Sequence, residues 1–246
     1  MAVRDASSAL TVATVANLYR DVWDFARRPT LAYVNLTFGR AFLFALAALF
    51  ALDLALAMGS LYLEAGIASV ADYEFPDPID ENLSLAEDLL FSVLLAPIIE
   101  EALFRGWLRG DVAGLRFAAA AWTALGLIII SEFVGEAAAI PLIAIGLLIL
   151  IGGLTQWAMT RRRDTQVPDW FSSHFGKFVW GSTIAFGLIH LGNFEEINTP
   201  LDVILVSSQT IGGLILAYTR TRLGLGAAMA QHSAFNLLVV MEFHQG

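Results

Sequence analysis

Residues 41–63 read AFLFALAALFALDLALAMGSLYL, a run of 23 positions in which Asp53 is the single charged side chain. A helix needs about 20 predominantly apolar residues to cross the hydrocarbon layer of a bilayer, so this run is long enough to span it. Strands of an outer-membrane barrel are about ten residues long and alternate apolar with polar positions, and this run does neither. Lipid offers no partner for backbone N–H and C=O groups, so the run is predicted to be a helix that satisfies them internally. Working outward, further apolar windows lie near 85–104, 117–132, 137–159, 178–193, 201–218 and 223–241. With 57% hydrophobic and 15% charged residues, the 246-residue chain leaves no sizeable water-soluble domain. The expected fold is all-α, a polytopic transmembrane bundle of about seven spans.

Charge gives the expected orientation. All 14 Lys and Arg residues fall on one side of a seven-span arrangement. Arg4, Arg20, Arg27, Arg28 and Arg40 precede the first span; Arg105, Arg109 and Arg116 follow the second; Arg161, Arg162, Arg163 and Lys177 separate the fourth and fifth; Arg220 and Arg222 separate the last two. The opposite loops, ADYEFPDPIDEN at 71–82, Glu132 with Glu136, and NFEEIN at 193–198, carry no basic residue. The positive-inside rule therefore puts the N-terminus in the cytoplasm. Residues 1–40 are too polar for a cleaved signal peptide and are expected to form a cytoplasmic amphipathic segment, followed by the bundle at 41–246. Pro76 and Pro78 mark an extended loop, and RRRDTQVP at 161–168 marks a cytoplasmic turn. Cysteine is absent, which removes disulfides and thiolate metal sites.

Ionisable groups inside a span are costly and by default face the bundle interior at a functional site. They are Asp53, Glu100 and Glu101 in APIIEEALFRG (96–106), His190 in STIAFGLIHL (182–191), and His232 with Asn236 in AQHSAFN (230–236). Pro97 removes a backbone donor and is expected to bend its helix beside the acid pair. Glu101 and Arg105 are four apart and are expected to pair on one helix face, with Glu100 about a quarter-turn away and open to a cavity. Phe186 and His190 share a face at the same spacing, as do His232 and Asn236. If these faces converge, the set suits hydrolysis: a carboxylate and a histidine deprotonate water, and a histidine and an amide donate to the oxyanion.

Glu100-Glu101-x-x-x-Arg105, Phe186-x-x-x-His190 and His232-x-x-x-Asn236, in this order, resemble the CAAX protease and bacteriocin-processing family, also called the Abi family of intramembrane proteases. The resemblance covers about residues 85–241. It implies a helical endopeptidase of the glutamate type whose eukaryotic relatives remove the last three residues of prenylated proteins. Carried over by motif, Glu100 is the general base with His190 assisting, His232 and Asn236 stabilise the oxyanion, and Glu101 with Arg105 is the supporting pair. Phe186 would line the cavity. The windows at 117–132 and 137–159 depart from the family pattern and read as an inserted helical hairpin. For Glu100 and His190 to meet, the second helix is expected to be long or tilted, from near Leu83 to beyond Arg105.

Other readings bound this one. Glu100 and Glu101 would also suit an interfacial pair reaching headgroups, and intramembrane His and Asn residues often only bridge helices. A silent scaffold or self-immunity protein of the same fold is the first alternative; a proton-coupled carrier using Asp53, Glu100 and Glu101 is another, without an inverted repeat to support it. Glu100, His190 and His232 would form an acceptable zinc set, a metal-dependent variant of the protease. No metal and no other cofactor is expected. The expected partners are the bilayer and a membrane-associated peptide or protein, with or without a lipid group, and no nucleic acid. The expected location is the cell (inner) membrane, in multi-pass form. Asp53, which has no place in the family pattern, is expected to be a polar helix contact or a cavity-lining residue. His174 and His244 read as solvated, Glu87 and Asp88 as interfacial. Trp23, Trp157, Trp170 and Trp180 read as an interfacial belt, and Gly212, Gly213, Gly224 and Gly226 as close-packing residues.

Overall fold

A computed structural model of the chain describes residues 15–31, 38–79 and 82–245. The first 14 residues of the expected amphipathic segment therefore lie outside the described residues. The described residues are helical and contain no strand, only one isolated antiparallel bridge between Pro78 and Phe194. Four stretches among them are long and apolar enough to cross a membrane: Arg40–Ala71, Val112–Ser131, Glu136–Thr160 and Pro200–Arg222. Outward-facing Leu, Ile and Phe side chains are numerous along these helices, as expected where the solvent is lipid. The all-α membrane bundle anticipated from hydropathy is the fold.

The chain divides into two compact units, Met1–Phe104 with Phe175–Gly246, and Arg105–His174. In the first, α1 (Val15–Arg27) buries Leu18, Val22 and Phe25, spaced four and three apart on one amphipathic face. Phe25 meets the Tyr218 ring edge-on at 5.4 Å, and Tyr19 donates to the Ala48 carbonyl at 3.0 Å. Helix α2 (Arg40–Ala71) runs well beyond the expected 41–63 and stops at Asp72, whose left-handed backbone (φ 49°) closes the cap. The chain then extends along 73–79. Tyr73 donates to Asp202 Oδ1 at 2.7 Å, Ile79 N–H to the Asn193 carbonyl, and Glu195 N–H to the Asp77 carbonyl. This is the loop that Pro76 and Pro78 announced.

The stretch Leu85–Phe104 is helical throughout but not uniform. It opens as α3 (Leu85–Asp88), capped by a reciprocal Ser84–Glu87 box, widens into a π-helical segment (Leu89–Leu95), and ends as α4 (Ala96–Phe104). It stops at Phe104, short of the expected run past Arg105, because the next residues tighten into a 3₁₀ turn, Gly106–Arg109. Helix α8 (Phe175–Ile189) continues into a 3₁₀ turn at His190–Asn193. A 3₁₀ segment (Pro200–Val206) leads into α9 (Ser207–Arg222), and α10 (Leu225–Phe243) completes the unit. Gly224, between the last two, has φ +106°, which a residue with a side chain rarely adopts. Conformation, not close packing, is its reason; Gly226 has open space around it.

The second unit is the helical hairpin read as an insertion, with its flanks. Helix α5 (Val112–Ser131) starts at Asp111, whose side chain accepts from Gly114 N–H at 2.7 Å. Two further first-turn donors, the N–H groups of Val112 and Ala113, are taken by the Gln166 and Asp164 carbonyls of the 161–168 turn. Helix α6 (Glu136–Thr160) buries only Gly146 and Gly153. Both lie against α5: a Cβ at Gly146 would fall 3.1 Å from the Ala124 carbonyl, and one at Gly153 only 2.5 Å from Ala120 Cβ. Short α7 (Asp169–Ser173) closes the unit with Phe171 buried against Trp107.

Candidate active site

A cavity of about 630 Å³ lies within the first unit, and Glu100, Phe186, His190, His232 and Asn236 all line it. These side chains come from α4, α8 with its 3₁₀ extension, and α10, so the three sequence motifs meet as expected. Apolar walls are supplied by residues such as Phe91, Leu216, Phe235 and Phe243.

His232 is the hub. It is buried, its Nδ1 lies 3.1 Å from Glu101 Oε1, and its Nε2 lies 3.7 Å from Glu100 Oε2. Consecutive glutamates thus address the two nitrogens of one ring. Glu101 is fully buried, whereas Glu100 is partly open to the cavity. The contact of Glu101 with His232 was not legible in the spacing of Glu101 and Arg105, since spacing within one helix says nothing about the helix opposite. Arg105 itself is fully buried in the turn after α4.

His190 sits where α8 tightens into its 3₁₀ turn, and its Nδ1 lies 2.7 Å from the Phe186 carbonyl. A carbonyl only accepts, so Nδ1 bears a proton and in the neutral ring Nε2 is the basic nitrogen. Phe186 holds the cluster from the side, with its ring 4.6 Å from His190 and 5.7 Å, edge-on, from His232, and itself meets Phe104 at 5.2 Å. Ser182 donates to the Phe104 carbonyl and ties the end of α4 to α8. Asn236 donates from Nδ2 to the Ser92 carbonyl at 2.8 Å.

Asp53 is both things expected of it, a buried helix contact and a cavity residue. One partner is Gln231, which donates to Asp53 Oδ2 at 3.0 Å and accepts from Thr219 at 2.8 Å, linking α2, α10 and α9. Gly212 lies against the same carboxylate; a Cβ there would come within 3.1 Å of Asp53 Oδ1. The signal for Gln231 was present in the sequence, an amide beside His232 inside an apolar helix. His244 is not simply solvated: its Nε2 lies 2.9 Å from Asp88 Oδ2. Among the described residues no group of three or more His, Cys, Asp or Glu side chains is placed to hold a metal ion.

No curated protein and no solved structure matches the chain. The family model described as type II CAAX prenyl endopeptidase Rce1-like matches residues 82–238, which hold all three motifs and well over half of the chain. With Glu100, Phe186, His190, His232 and Asn236 gathered on one cavity and that match spanning all three motifs, the chain belongs to the Rce1-like family of type II CAAX prenyl endopeptidases.

Proposed function

We propose that the protein is an intramembrane endopeptidase of the glutamate type, acting on a membrane-associated peptide or protein. The observation that carries the proposal is the convergence of Glu100, His190, His232 and Asn236 on one cavity with apolar walls. Glu100, aided by Nε2 of His190, takes a proton from water as its oxygen attacks the scissile carbonyl carbon. The negative charge that develops on the carbonyl oxygen is met by His232 Nε2–H and the Asn236 amide. For His232 to donate there, the Glu101–His232 pair must hold one proton more than a carboxylate beside a neutral imidazole. Collapse of the intermediate breaks the C–N bond, the proton held at the glutamate passes to the leaving amine, and an acid and an amine leave. Arg105 keeps the supporting role that the motif implies. We place the protein in the cell membrane with its N-terminus in the cytoplasm, following the distribution of Lys and Arg.

The test is mass spectrometry of detergent-solubilised protein incubated with membrane-anchored and prenylated peptides. Wild type is expected to release defined products, with or without chelator, and Glu100→Gln to lower the rate by about 10²–10⁴-fold while eluting and melting like wild type. An equally active Glu100→Gln protein would sink the assignment.

A further inference from the structure

One feature of Leu85–Phe104 plays no part in the hydrolytic chemistry proposed above. At the end of the π-helical segment, Ala96 N–H reaches back five residues to the Phe91 carbonyl. In the same register the next residue, Pro97, would reach the Ser92 carbonyl, and proline has no N–H to offer. Within a membrane helix such a leftover carbonyl needs a donor from a neighbouring element. Asn236 supplies it, with Nδ2 at 2.8 Å from Ser92 O. The stretch is tied to the same helix again about two turns farther on, just past the end of α10, where His244 meets Asp88 Oδ2, while Ser92 Oγ donates to Asp88 Oδ1 at 2.8 Å.

We propose that Pro97 is a positioning residue that acts through Asn236. By withholding an N–H it turns Ser92 O into an anchor for the Asn236 side chain. A carboxamide has an accepting end and a donating end, and rotating it by half a turn exchanges them. Because the anchor is a carbonyl, it selects the NH₂ end. One N–H is then spent on the backbone, and the second belongs to the same nitrogen, on a side chain that lines the cavity. Were the accepting end turned inward, its oxygen would repel a developing oxyanion instead of binding it. The anchor follows from the geometry alone; its catalytic consequence rests on the peptidase reading.

The experiment is a double-mutant cycle of wild type, Pro97→Ala, Asn236→Ala and the double variant, measured by thermal unfolding in detergent and by kcat and KM for a cleaved peptide. Asn236→Ala strands Ser92 O and lowers Tm; Pro97→Ala returns a backbone N–H to that carbonyl. Pro97→Ala should therefore raise Tm more in the Asn236→Ala background than in wild type. If Asn236→Ala does not assemble, recovery of monodisperse protein on adding Pro97→Ala is the same result. In kinetics, Pro97→Ala alone should keep KM and lower kcat toward the about 10²-fold loss seen when one oxyanion donor is removed. In the Asn236→Ala background it should lower kcat no further. Equal Tm increments in both backgrounds overturn the anchor, and equal kcat losses in both overturn the action through Asn236, leaving Pro97 a bend in its own right. If wild type cleaves nothing, the peptidase reading fails, and the unfolding cycle still decides the anchor.

Discussion

Helices α6 and α10 are both apolar, yet they bury opposite things. Across its 25 residues α6 buries two glycines and turns Ile140, Leu147, Leu148, Ile151 and Leu154 outward. Across its 19 residues α10 buries Gln231 and His232 with small or apolar neighbours, and sends Asn236 to the cavity. In water an apolar side chain is driven inward; in lipid that drive vanishes, and close backbone approach and polar contacts decide which face turns in. The inward face of a membrane helix is therefore read from its smallest and its most polar residues. In α6 the small residues set packing, and in α10 the polar ones set chemistry.

That contrast breaks first at His232. His232→Ala is expected to lower peptide cleavage by about 10²–10³-fold, as for a lost oxyanion donor, and activity near wild type would reduce the α10 cluster to a helix contact. Next comes the neighbouring amide. Gln231→Leu removes the donor to Asp53 Oδ2 and should cost about 1–3 kcal/mol of stability. Unfolding in detergent reads this, and Asp53→Asn in the same background should recover part of the loss. On the α6 side, Gly153→Leu forces atoms into the space of Ala120 and should destabilise by about 1–3 kcal/mol, while KM and kcat stay those of wild type.

A smaller effect is expected at the turn beside that hairpin. The hydrogen bond from Arg163, with Arg116 also in contact, holds the Asp164 carboxyl below its usual range. A lowered carboxylate stabilises the fold above its unfolded pKa of about 3.9, and that contribution is lost as pH falls from there through the folded value. Hydrogen exchange at the α5 N-terminus should therefore quicken only in that acid window, and Asp164→Asn should abolish the dependence. Least of all, Leu148→Ile on the lipid face of α6 is expected to change stability by no more than about 0.5 kcal/mol. A larger change would mean that this face is packed against something other than lipid.

What could be read in the sequence follows the same division. Hydropathy located the long helices, since a run of apolar residues reports its solvent directly. It placed the end of α2 too early because Gly59, Ser60, Glu64 and Gly66 dilute the signal while leaving a helix intact. The three motifs identified Glu100, His190, His232 and Asn236, each being polar where lipid tolerates nothing polar without a reason. Partnerships between elements were illegible. Glu101 with His232, Gln231 with Asp53 and His244 with Asp88 join residues far apart in the chain, and only the packing of helices brings them together. The π register was equally hidden: Pro97 announces an irregularity but does not choose between four- and five-residue spacing.

The length of α2 carries a consequence of its own. At about 1.5 Å per residue, its 32 residues measure about 48 Å, against a hydrocarbon layer of about 30 Å. Even tilted by about 40°, the steep end of what membrane helices adopt, it would cross that layer in about 26 residues and leave about six beyond it. Some of α2 must therefore stand among headgroups or in water, and how much depends on the host membrane. A thicker bilayer draws more of the rod in; a thinner one lets it protrude. The helix that carries Asp53 is thus a gauge of membrane thickness, and the depth of the carboxylate in the bilayer follows the lipid around it as well as the sequence that bears it.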